Sequence, residues 1–141
     1  MATTHIIMQE PRLSEQKDFI RKKLVKCKQF DKYGLTLVDS NEVIVRSLMG
    51  ELRNIIQSFF KGWVYSIKKC EHCASTTATQ YDRAHDRCVS RTDVAFAALH
   101  RIRPDETQPI KQKDFIRAFV EEHEHIPLWV LCKKCHTEYD K

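Results

Sequence analysis

Through the first half of the chain, apolar residues recur every three or four positions in two long stretches, and this spacing predicts helices. From residue 14 to 30, Phe19, Ile20, Leu24 and Val25 form one stripe behind Ser14, a residue type that caps helix starts. Lys17, Arg21, Lys22, Lys23, Lys26 and Lys28 crowd the remaining surface of that segment. Asp31-Lys32-Tyr33-Gly34 has the composition of a turn, and Leu35 to Val38 that of a short extended piece. Ser40 or Asn41 then caps a longer helix to about Lys61, with Val43, Ile44, Leu48, Leu52, Ile55, Ile56, Phe59 and Phe60 on its apolar face. Gly62 is the expected stop. Trp63-Val64-Tyr65-Ser66-Ile67 reads as a strand that enters Cys70.

Beyond Cys70 the pattern shortens. A strand is expected around Gln80 to His85. A helix capped by Ser90 or Thr92 follows, running to about Ile102 with Val94, Ala95, Ala98 and Leu99 inward. Pro104 to Pro109 is a loop, Lys111 to His123 a further helix, and Pro127 bars its continuation. Leu128 to Leu131 is short and apolar like a strand, and Lys133 to Asp140 suits a short terminal helix. The expected fold class is therefore α+β, mainly helical. The segment Gln16-Lys17-Asp18-Phe19-Ile20-Arg21 recurs identically as Gln112 to Arg117. The likeness fades on both sides, so shared helical patterning explains it better than a solenoid repeat does.

Composition narrows the class. The chain has 141 residues, 42% of them hydrophobic, which suits a globular protein with a modest core. No apolar run approaches the ~20 residues of a membrane span, and the N-terminus lacks the pattern of a secretory signal. An intracellular, reducing compartment is the expectation. The net charge of +5 is uneven: residues 1–69 carry 13 Lys and Arg against 7 Asp and Glu, and residues 70–141 carry 11 against 12. Six of the seven histidines fall in the second half. A basic half beside a histidine-rich half suits a polyanionic partner, because phosphate contacts supply most non-specific affinity for nucleic acid.

The six cysteines carry the strongest chemical signal. Cys70-x2-Cys73 and Cys132-x2-Cys135 have the spacing of a four-thiolate zinc site, since two intervening residues let both sulfurs of a pair turn onto one ion. Four thiolates leave no open position, so such a zinc is structural. Cys27 and Cys88 fall outside the pairs and read as small buried residues. His85 is a candidate general base, because a neutral imidazole can take a proton from attacking water. His136 and Asp140 lie four apart and share one helix face, where an imidazole and a carboxylate suit a divalent ion such as Mg²⁺ or Mn²⁺. Arg83, Arg87 and Arg91 flank His85, and Arg91 at a helix start is the best candidate to clamp a phosphate.

The cysteine pairs, Ala84-His85, and Leu131-Cys132-Lys133-Lys134-Cys135-His136 with Tyr139-Asp140 together resemble the HNH endonucleases over about residues 70–141. The resemblance implies a ββα-metal fold, often braced by a four-cysteine zinc. On it His85 matches the general base, and His136 and Asp140 match the catalytic metal ligands. Two positions depart from the family pattern. Ala84 stands where a further ligand is common, and Pro127 stands near where the middle Asn usually orients the base. His125, Asp82 and Asp86 are nearby candidates for that orienting task. The implied organisation is a basic helical region, 1–69, for DNA contact or dimerisation, followed by a zinc-braced nuclease domain, 70–141. Lys22, Lys23, Lys26, Arg83 and Arg87 are the expected DNA contacts, and a homodimer would cut both strands. The alternative is a zinc-dependent nucleic-acid-binding or protein-interaction module without catalysis.

Overall fold

The computed structural model describes residues 13–78, 81–85 and 90–139, without the side chains of Tyr65, Ser66, His85 and Tyr139. The elements run α1 (Leu13–Lys26), β1 (Thr36–Leu37), α2 (Asn41–Phe59), α3 (Lys61–Ile67), β2 (Tyr81–His85), α4 (Arg91–Ile102), β3 (Ile110–Lys111), α5 (Gln112–Glu122), a 3-10 turn (His123–His125), β4 (Leu128–Cys132) and α6 (Lys133–Tyr139). Helices dominate, as the apolar spacing predicts. Two caps act as expected. Ser40 accepts from the Val43 N–H, and Ser90 with Asp93 forms a reciprocal capping box.

The expected strand at Trp63 to Ile67 is instead helical. The chain turns at Phe60, with φ −91° and ψ 6°, and continues as α3 straight through Gly62. Tertiary packing accounts for the difference. Trp63 follows Phe59 by four residues, and in a helix both reach the same core. That gain outweighs the roughly 1 kcal/mol that a glycine costs inside a helix. The helix ends at Lys68, which is left-handed at φ 45°.

One apolar core joins α1 to α5, drawing Ile20, Phe59 and Phe60 from one side of position 69 and Val94, Phe119 and Val130 from the other. Both copies of the repeated hexapeptide face this core. Gln16 and Ile20 are buried in α1, and Gln112, Phe115 and Ile116 in α5. Gln16 also ties the N-terminal helix to the approach of β4. Its Nε2 donates to the carbonyls of His123 (2.6 Å) and Ile126 (2.7 Å), and its Oε1 accepts from the Leu128 N–H at 3.2 Å.

The strands form two small antiparallel pairs, β1 with β3 and β2 with β4. In the second, Asp82 pairs with Leu131, Ala84 with Trp129 and His85 with Leu128. All five residues of β4 are buried because the strand separates two cores. Leu128 and Val130 belong to the helical core, whereas Trp129 and Leu131 join Cys70, Ala84, Cys132 and Cys135 in a smaller one. No helix among the described residues is long and apolar enough to cross a membrane.

Candidate metal centre and the facing strand

The loop after α3 brings the first cysteine pair beneath β4. Cys70 N–H donates to the Ser75 carbonyl at 2.9 Å, Ala74 N–H returns to the Cys70 carbonyl at 2.9 Å, and Ala74 takes a left-handed φ of 63°. This tight turn aims two sulfurs the same way. Glu71, inside the pair, anchors it to the strand from both ends. Its N–H donates to the Val130 carbonyl, and its buried carboxylate accepts from the Val130 N–H, each at 2.8 Å. Cys132 closes β4, and Cys135 lies in the first turn of α6.

All four sulfurs lie within 4.8 Å of one another. Cys73 and Cys132, 59 positions apart in sequence, bring their sulfurs to 3.8 Å. A tetrahedral ion with Zn–S bonds of about 2.3 Å separates its sulfurs by about 3.8 Å, so these residues fit a structural metal such as zinc. His72 Nδ1 stands 3.3 Å from Cys135 Sγ, where an N–H would support the sulfur's charge. The thiols differ in acidity. Burial opposes the Cys70 thiolate, but the backbone N–H groups of Cys73, Cys132 and His72 bring its pKa to about 7. Burial and the three neighbouring sulfurs push the Cys135 thiol well up.

The first turns of α6 also present His136 to β2. His136 Nδ1 lies 3.2 Å from Asp82 Oδ2, both side chains being about a quarter exposed. With the proton on Nδ1, the imidazole donates to the carboxylate and carries its lone pair on Nε2. Ala84 shares Asp82's face of the strand and is buried against the cysteine core. His85 ends β2 opposite Leu128. Asp140 and Arg87 lie outside the described residues.

Arg83 and Arg91 are both half-buried. Burial and the nearby Arg91 charge lower the Arg83 pKa to about 10, with Asp82 acting the other way. Among the expected DNA-contacting lysines, Lys22 and Lys26 are exposed on α1. Lys23 turns inward: its Nζ donates to the Phe59 carbonyl at 2.5 Å and lies over the Phe19 and Phe59 rings.

Sequence reasoning passed over Glu71 and His72, and gave Asp82 only an orienting task shared with His125 and Asp86. Strand parity could have singled out Asp82, because it stands two residues before Ala84 and so shares its face. For Glu71 there was no comparable signal. Compared with models of protein families, with curated proteins and with solved structures, the chain matches none.

Proposed function

We propose that the protein is a metal-dependent DNA endonuclease of the HNH type. One observation carries the reading: β4, paired with β2, runs directly into α6, which sets the His136 imidazole against a carboxylate of the facing strand beside a four-sulfur cluster. Two strands and a helix braced in this way are what the family resemblance calls for.

In this reading the cysteines hold zinc and fix the angle between β4 and α6. His136 and Asp140 hold Mg²⁺ or Mn²⁺, with Asp82 keeping the imidazole in place. When bound, the divalent ion supplies charge stabilisation at the leaving oxygen. His85 takes the proton from the attacking water. Arg91 clamps phosphate, while Lys22 and Lys26 reach the DNA backbone. Two copies, each with one site, cut the two strands.

Plasmid DNA incubated with the purified protein, with and without Mg²⁺ or Mn²⁺ and alongside His85→Ala, tests this. Divalent-dependent cutting that the variant loses supports it, and equal cutting by both proteins removes His85 from its role. The burial of Ala84 among the cluster residues favours a second reading, a zinc-dependent binding module without catalysis, because no ligand is offered at that position. DNA binding with no cutting under any divalent ion is the outcome that module predicts.

A further inference from the structure

We infer that Arg53, Arg83 and Arg91 form a binding site for a phosphate group on the side of β2 away from the cysteine cluster. The three residues come from different elements. Arg53 is exposed on α2, Arg91 opens α4, which packs against α2, and Arg83 lies in β2. Arg83 alternates with Asp82 and Ala84 along the strand and pairs with Val130, whose side chain joins the helical core. The site therefore opens on the helical side of the two-stranded sheet.

Two features distinguish this group from ordinary surface arginines. The Nε atoms of both Arg83 and Arg91 are buried and have no hydrogen-bond partner among the described residues. Desolvated donors of that kind disfavour the folded state unless something accepts from them. Like charge also acts within the group: Arg91 acts on Arg83, and Arg53 acts on Arg91. Among the described residues Asp82 is the carboxylate that acts on Arg83, and its Oδ2 is engaged by His136.

Arg101, on the same helix α4, shows the contrasting case. It bonds Glu121 and Glu122 at 3.3 and 2.8 Å, and those acids raise its pKa although burial works against it. Burial and like charge lower Arg83 and Arg91 instead, and among the described residues only Asp82 opposes this, at Arg83. A tetrahedral oxyanion answers both deficits, since it accepts from several N–H groups and carries the opposite charge. Taking its source to be a nucleic-acid backbone rests on the proposed nuclease reading; the phosphate chemistry does not.

The test measures binding of a short duplex oligonucleotide without added Mg²⁺ or Mn²⁺ across a salt series, for the wild-type chain, Arg53→Gln and Arg91→Gln. In parallel, melting temperature is followed in inorganic phosphate against chloride at matched ionic strength. Arg53 is exposed, so its variant reports on binding rather than folding. Each variant is expected to weaken duplex binding about ten- to a hundredfold and to flatten the salt dependence. Phosphate should raise the wild-type melting temperature and lose that effect in Arg91→Gln. Wild-type duplex affinity in both variants, with the phosphate shift intact in Arg91→Gln, overturns the site. Loss of the phosphate shift alone keeps the site and rejects DNA as its source. Arginine-dependent duplex binding, with no cutting of plasmid DNA when Mg²⁺ or Mn²⁺ is added, rejects the nuclease and leaves the site standing.

Discussion

The carboxylate of Asp82 faces Nδ1 of His136 at 3.2 Å across 54 positions of sequence. Asp82 lies one strand repeat before Ala84 on the same face of β2, so an acid reaches α6 from that face although position 84 offers none. A carboxylate behind an imidazole fixes its tautomer and ring orientation as a ligand.

Asp82→Asn should therefore weaken divalent-ion use while leaving the cysteine cluster intact. If the proposed nuclease reading holds, the expected change is roughly a 10- to 100-fold higher Mg²⁺ or Mn²⁺ concentration for half-maximal cutting. Zinc content measured on the same preparation should not change.

Cys132→Ser removes one of four sulfurs that lie within 4.8 Å of each other, and with it the join between β4 and the loop of Cys70. The expected result is loss of bound zinc, measured by elemental analysis, and a lower melting temperature. Full zinc content with unchanged stability would remove the four-cysteine assignment.

Zinc uptake should release protons and strengthen as pH rises. The Cys135 thiol is pushed up by burial and by its sulfur neighbours, so near neutral pH it holds a proton that the metal must displace. Cys70, at about 7, is already partly ionised there and gives up less. Stability supplied by zinc is then present at neutral and alkaline pH and is lost on acidification. Titration calorimetry in two buffers of different ionisation enthalpy should give roughly two to four protons per zinc at pH 7. A pH-independent affinity would contradict this.

Gln16→Leu keeps the side-chain volume but leaves the carbonyls of His123 and Ile126 and the Leu128 N–H without their partner. A buried group left unsatisfied costs about 1–3 kcal/mol, so the variant should unfold at clearly lower denaturant. The exposed Lys22→Ala serves as the control and should unfold like the wild type.

Local signals read the helices well. The apolar spacing of α2 and the capping residues Ser40 and Ser90 act as residue patterns predict. The cysteine spacing anticipated the cluster, because two-residue gaps constrain sulfur geometry whatever the rest of the fold does. The pattern misled at Trp63 to Ile67, where a glycine and aromatic residues suit a strand locally. Four-residue spacing from Phe59 to Trp63 decides for a helix once the core exists. Asp82–His136 and Glu71–Val130 join positions more than 50 residues apart, and nothing local in either segment encodes such a meeting.

The three hydrogen bonds of Gln16 span 107 to 112 positions and converge on the start of β4, the strand whose far end begins the second cysteine pair. During synthesis the first helix is available well before the strand it docks against. Helices α1 to α5 can gather beforehand, whereas the sheet and the sulfur cluster must wait for residues 128 to 135. A chain released before those residues are made would have the basic helices without the four-sulfur cluster.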